Sequence, residues 1–327
     1  MSVRIGRVMG VPIELHAGCI IALIVLSCSI GMGFIGKVHE GMSAPYAILA
    51  GGVAAVLLFA CLVAHEFAHV IAARRCGIGT GAVSLFLFGG AAHLSRDPDE
   101  WRHELGISIA GPLVSLGLAA LLLAGYFLTD RLTLTSTLIF YLAFANGVLG
   151  VANLLPGYPL DGGRVLKAVL WRVLNSRRAA TRVATIMGQC IGLGIAACGV
   201  VSLLGRDLGG LWLVGLGWFV ADAAARAWEQ EQVREVLEHS TAAEIVTDHP
   251  TVPYPHHAIR RVSEIMSSTD DVIIVDRMDN AWDVAERVGE LHDNGAAVVV
   301  DGRSLIGVVE KRELPGLMTA RLRAMAH

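Results

Sequence analysis

Val63-Ala64-His65-Glu66-Phe67-Ala68-His69-Val70 is an H-E-x-x-H pattern at the end of a long apolar run. On an α-helix, positions i and i+4 share one face about 6 Å apart, so two imidazoles at this spacing can hold the same cation. Glu66, next to the first histidine, is placed to hold a metal-bound water. In a soluble helix the same letters often form a solvated face. Here the preceding stretch, Gly41–Ala64, carries no charge. An acid or base at membrane depth costs about 2.5–3.5 kcal/mol on insertion scales, so each one present needs a partner or a task.

Outward from this stretch the chain has the same character. Its 327 residues have a mean hydropathy of +0.59, 54% are hydrophobic and only 17% charged, which excludes a single soluble globule. Residues 228–327 hold 28 of the 55 charged side chains and a net charge of −8, whereas residues 1–227 carry +5. A membrane body followed by a water-soluble tail fits this asymmetry, and no basic footprint for nucleic acid remains. The six cysteines form no C-x-x-C pair and read as small packing residues.

At about 20 residues per crossing, the uncharged stretches predict six transmembrane helices: Ala17–Gly36, Gly41–Ala64, Leu105–Thr129, Leu132–Leu160, Val183–Gly205 and Leu208–Ala221. Arg4 and Arg7 precede the first, which reads as a retained anchor because it is longer than a signal-peptide core and lacks a cleavage site. The fourth contains Pro156, Gly157 and Pro159, so a helix over Thr135–Leu154 is expected to break there. With the N-terminus inside, the inner segments hold thirteen Lys and Arg residues against three outside. The positive-inside rule then places both termini in the cytoplasm of a multi-pass protein of the plasma membrane.

A catalytic tetrahedral zinc needs a third protein ligand and one open position. Asp161 is the candidate, in Asn153-Leu154-Leu155-Pro156-Gly157-Tyr158-Pro159-Leu160-Asp161-Gly162-Gly163-Arg164. Irregular backbone at membrane depth is tolerated only when buried in protein or lining a wet cavity, and a hydrolytic site needs such a cavity. Asp161 also suits the N-cap of a helix starting near Gly162, and the two roles are compatible.

Together, His65-Glu66-x-x-His69 and Asn153-x-x-Pro156-x-x-Pro159-Leu160-Asp161-Gly162-Gly163 resemble the site-2 protease family of intramembrane zinc metalloproteases, as do Gly111-Pro112 in the third span. The resemblance covers roughly residues 1–227 and implies the six-helix form, with one zinc per chain held by His65, His69 and Asp161. Glu66 is then the general base. Asn153 has two readings, a hydrogen-bond donor to substrate backbone or oxyanion, or a group that satisfies carbonyls freed at the helix break. Gly77–His93 reads as a strand or hairpin between flexible turns, similar to the family's membrane-associated sheet, whose edge can recruit an unwound substrate. An ordinary interfacial loop is the plainer reading. His93 and His103 are left out of the zinc shell.

The tail begins with a charged helix, and His249-Pro250-Thr251-Val252-Pro253-Tyr254-Pro255 follows as a stiff connector. Patterns at Ala258–Ser267, Val272–Val275, Ala281–Leu291, Ala296–Val300 and Leu305–Val309 alternate between helix and strand. They resemble a cystathionine-β-synthase-type (CBS) pair with an eroded first repeat, Thr241–Ser267. The solvated connector explains His249, His256 and His257.

The fold class expected is therefore a polytopic α-helical membrane protein, with six transmembrane helices, a small membrane-associated β-hairpin or sheet and a small cytoplasmic α/β CBS-like domain. Its parts are a metalloprotease domain over 1–227, a linker helix over 228–240 and a regulatory domain over 241–327. The resemblance implies adenine nucleotide and homodimerisation as properties of such tails. The function expected is zinc-dependent cleavage of single-span or tail-anchored membrane proteins, in contact with the lipid bilayer. The alternative is a zinc-binding membrane sensor or carrier without chemistry, which has no need of a carboxylate beside the first histidine.

Overall fold

The computed structural model describes residues 2–86, 89–238, 241, 272–291, 295–301, 304–312 and 314. They fall into two units, Met1–Ala225 and Arg226–His327. In the first, helices α1 (Gly18–Val38), α2 (Ala44–Arg75), α3 (Trp101–Phe127), α4 (Leu134–Asn153) and α6 (Arg177–Leu204) are long and apolar enough to cross a membrane. A short helix, α5 (Asp161–Leu174), lies between α4 and α6. A further long helix, α7 (Gly209–Glu238), contains the sixth expected stretch but is not among those five. Large apolar side chains such as Ile21, Leu49, Leu121 and Leu193 are exposed on the crossing helices, the surface that lipid would cover.

Helix α2 runs eleven residues beyond the uncharged stretch that ends at Ala64 and carries the H-E-x-x-H pattern on the same helix, with His65, Glu66 and His69 buried. Where α1 meets α2 the backbones approach through glycine. A Cβ on Gly31 would lie 2.5 Å from the Ala47 carbonyl oxygen, and one on Gly51 would lie 2.2 Å from that of Ser27.

The expected hairpin is part of a four-stranded sheet, β1 (Ser2–Val8), β2 (Val11–His16), β3 (Thr80–Phe86) and β4 (Gly89–Leu94), in that order. The first and last pairs are antiparallel, and β2 and β3 are parallel. Met9 and Gly10 turn between β1 and β2 with φ of 51° and 80°, a left-handed pair suited to a two-residue hairpin. Val11, Val83 and Leu85 of the sheet cluster with Cys19 of α1 and with Phe67 and Val70 of α2. The sheet is thereby fixed on the turns of α2 that carry the histidines.

Helix α4 stops at Asn153 and the chain turns through Leu154–Leu160 before α5. Gly162 and Gly163 let this loop fold back on the start of α5: their Cβ atoms would fall 2.3 Å from the Leu155 oxygen and from the Gly157 carbonyl carbon. The loop is held to α6 by Tyr158, whose backbone N–H donates to the Ala184 carbonyl at 3.1 Å.

In the second unit, β5 (Val272–Asp276), α8 (Ala281–Glu290) and β6 (Ala296–Asp301) form a βαβ arrangement with β5 and β6 parallel, and β7 (Ser304–Glu310) returns antiparallel to β6. Val275, Val284, Val288, Ala297, Val299 and Val309 build its core, and Leu237 from the last turn of α7 is buried among them. Asn280 caps α8 by accepting from the Trp282 and Asp283 N–H groups, and its own amide donates to the Glu238 carbonyl. The expected helix Ala258–Ser267 and the histidines of the connector lie outside the described residues.

Candidate metal centre

Two elements supply the candidate ligands. His65 and His69 stand one turn apart on α2, 2% and 7% exposed. Asp161, the first residue of α5, brings its carboxylate to them across the break after α4. The N-cap position belongs to Leu160, so Asp161 is turned to the histidines rather than to a cap. Asp161 Oδ2 is 3.1 Å from His65 Nε2 and 3.3 Å from His69 Nε2. Among the described residues these three form the group whose ligand atoms converge, all within 4.8 Å of one another; His103 is not part of it, and the side chain of His93 is not among those described.

The donor set fits zinc. Tetrahedral bonds of about 2.0–2.1 Å place neighbouring ligand atoms about 3.3–3.4 Å apart, close to the spacings seen here. The far side of each ring is engaged. His69 Nδ1 donates to the Ile107 carbonyl at 2.7 Å, and because a carbonyl only accepts, the proton is on Nδ1 and Nε2 of the neutral ring is bare. His65 Nδ1 is hydrogen-bonded to Ser115 Oγ at 2.8 Å. Both hydrogen-bond partners belong to α3, and between them lies Gly111. A Cβ built there would sit 2.3 Å from His69 Nε2 and 2.6 Å from His65 Nε2, so the missing side chain leaves open the space into which both nitrogens point.

Glu66 is 7% exposed and lies against β4: a Cβ on Gly90 would stand 2.6 Å from Glu66 Cγ and 2.9 Å from Oε1. Asn153, the last residue of α4, donates from Nδ2 to the Leu149 carbonyl at 3.0 Å. Three contributors escaped the sequence reading: Ser115, the Ile107 carbonyl and Glu104. Glu104 is 1% exposed, and its Oε1 accepts from Arg164 Nε at 2.9 Å while Oε2 lies 3.6 Å from Lys167 Nζ. Burial pushes the Lys167 amine below the usual lysine range, against the opposing pull of Glu104. The available signal was the helical spacing of Glu104, Ser108, Gly111 and Ser115, polar and small residues along one stripe of an apolar span.

Residues 53–134 and 130–195 match the model of peptidase family M50. A Mycobacterium tuberculosis protein bearing the name of a zinc metalloprotease, Rip3, is 32% identical over 300 residues, covering 89% of this chain and 73% of that protein. The chain belongs to the site-2 proteases, peptidase family M50. This site-2 protease is also 30% identical over 259 residues to a Synechocystis protein bearing a zinc metalloprotease name, an alignment spanning 77% of this chain and 66% of that one. The solved structure of the site-2 protease from Methanocaldococcus jannaschii superposes with a TM-score of 0.51 at 29% identity, over 70% of this chain and 95% of the other. The protein is a membrane zinc metalloprotease.

Proposed function

We propose that this site-2 protease cuts single-span or tail-anchored membrane proteins within their membrane segments, with His65, His69 and Asp161 as the zinc ligands and Glu66 as the general base. The convergence of three ligand atoms from α2 and α5, beside the open space at Gly111, carries this reading. A zinc ion held by these three residues would lower the pKa of its bound water toward about 7 and would polarise the scissile carbonyl. Glu66 accepts the proton of the attacking water and delivers it to the leaving amine. Ile107 and Ser115 hold the two rings in the orientation that presents Nε2.

A helical peptide bond is hidden from attack, so the substrate has to be held extended. Among the described residues β4 is paired only with β3, and its Gly90 borders Glu66, which supports strand addition along this edge. The Asn153 amide is engaged by Leu149. That contact favours its reading as a partner for a backbone carbonyl near the helix break, and it leaves the second Nδ2–H for a role toward substrate.

The six-helix topology, with both termini in the cytoplasm, rests on the distribution of Lys and Arg and on the apolar stretch in α7, where Leu211, Trp212 and Trp218 are exposed. The β5–α8–β6 arrangement supports a CBS-like regulatory tail, joined through a linker helix, that pairs with a second copy. Adenine nucleotide has no support among the described residues.

The test is Glu66→Gln in the full-length protein, with a co-expressed membrane substrate and metal content measured on the purified protein. Stoichiometric zinc with no cleavage is expected. Cleavage at a comparable rate removes Glu66 as general base, and a native protein that holds stoichiometric zinc but cuts no co-expressed membrane substrate supports the sensor alternative.

A further inference from the structure

We propose that Glu104 is a positioning residue of the metal centre: it ties α5, and with it Asp161, to the turn of α3 that orients His69. This rests on Asp161 being a zinc ligand. Asp161 is 96 residues from His65 and 92 from His69 in sequence, and it follows a loop with no regular structure. Something outside the ligand set must therefore fix α5 along its own axis. A slip of one residue moves a helix by about 1.5 Å, whereas a metal ligand has to be placed within about 0.2 Å.

The cluster at the α3–α5 contact is suited to prevent that slip. Arg164 and Lys167, three and six residues after Asp161, converge on the two oxygens of Glu104, and the side chains of Glu104 and Lys167 are 1% and 5% exposed. Burying such charges is costly, and packed apolar residues would hold two helices at least as firmly. What the ion pairs add is register, because the directional bond from Arg164 Nε to Oε1, 2.9 Å long, favours the alignment in which the two groups meet. Glu104 stands one turn before Ile107, whose carbonyl accepts from His69, and two turns before Gly111. The same few turns of α3 thus set the positions of His69 and Asp161.

The experiment measures zinc affinity by chelator competition on the purified full-length protein, for Glu104→Gln in the unmodified and Asp161→Asn backgrounds. We expect Glu104→Gln to weaken zinc by about 10- to 100-fold in the unmodified background. In the Asp161→Asn background the same change should have almost no effect, since the ligand it positions is gone. Equal losses in both backgrounds, or none in either, overturn the proposal. If Asp161→Asn alone leaves affinity unchanged, the ligand assignment falls and the proposal with it. Arg164→Lys keeps every charge of the cluster and so guards against misfolding. A smaller loss that vanishes with Asp161→Asn is expected for it, and unchanged affinity counts against the tie.

Discussion

Gly111→Ala adds one methyl group to the middle of α3 and should empty the metal centre. The new Cβ would lie 2.3 Å from His69 Nε2 and 2.6 Å from His65 Nε2, where ordinary contact begins at 3.4 Å. Relief requires His69 to retreat by about 1 Å and His65 by nearly as much, several times the tolerance of about 0.2 Å on a metal ligand. Both rings are also anchored from behind, at Ile107 and Ser115, so retreat breaks the bonds that orient them. With two of three protein ligands displaced, zinc affinity should fall by at least about 100-fold. The fold should suffer far less. Alanine is favoured over glycine in a helix by about 1 kcal/mol, which offsets part of an overpacking cost of about 1–3 kcal/mol. The assay is zinc content and chelator competition on the purified protein, beside thermal unfolding. Gly106→Ala and Gly117→Ala on the same helix are the controls, because a Cβ at either meets nothing within 4 Å. Stoichiometric zinc of undiminished affinity in Gly111→Ala would refute the placement of the ion between these nitrogens.

Two further substitutions separate chemistry from scaffolding. Gly90→Ala brings a Cβ to 2.6 Å from Glu66 Cγ and should displace the carboxylate while leaving the ligands alone; cleavage is expected to fall by about 100- to 10,000-fold with zinc content unchanged. Asn280→Ala removes the cap of α8 and the bond to the Glu238 carbonyl. Hydrogen exchange over 281–290 should report a loss of about 1–2 kcal/mol of protection, with zinc content again unchanged.

The candidate ligands were legible because their chemistry is local and their surroundings are not. His65 and His69 announce themselves by helical spacing inside an apolar run, and Asp161 by standing where prolines end a span. Hydropathy sees less well where partners are supplied from elsewhere in the fold. The uncharged criterion ends the second span at Ala64, yet α2 continues to Arg75, with His65, Glu66 and His69 buried against the rest of the fold and Arg74 and Arg75 exposed at its end. The N-terminal hairpin was overlooked for a different reason. Ser2–Val8 and Val11–His16 alternate polar and apolar residues around Met9-Gly10, a strand signal that stays hidden while the segment is read only as the flank of a crossing helix.

Helix α3 gives the candidate centre no ligand, yet it touches each side chain that does, directly or through one neighbour. Glu104 binds the cations of α5, the Ile107 carbonyl accepts a hydrogen bond from His69, Gly111 leaves the space before both nitrogens and Ser115 meets His65. These contacts recur every three or four residues over about 16 Å of helix, the eleven residue steps from Glu104 to Ser115. Pro112 in this run lacks the N–H that would bond the Ser108 carbonyl, yet α3 continues as one helix from Trp101 to Phe127, and its rise is set by its own backbone rather than by the loops on either side. His65 and His69 are already held together by α2, so Asp161 is the candidate ligand whose position depends on tertiary structure. The proline break before it frees the chain to arrive from another span, and the buried charges on α3 and α5 limit where it can come to rest.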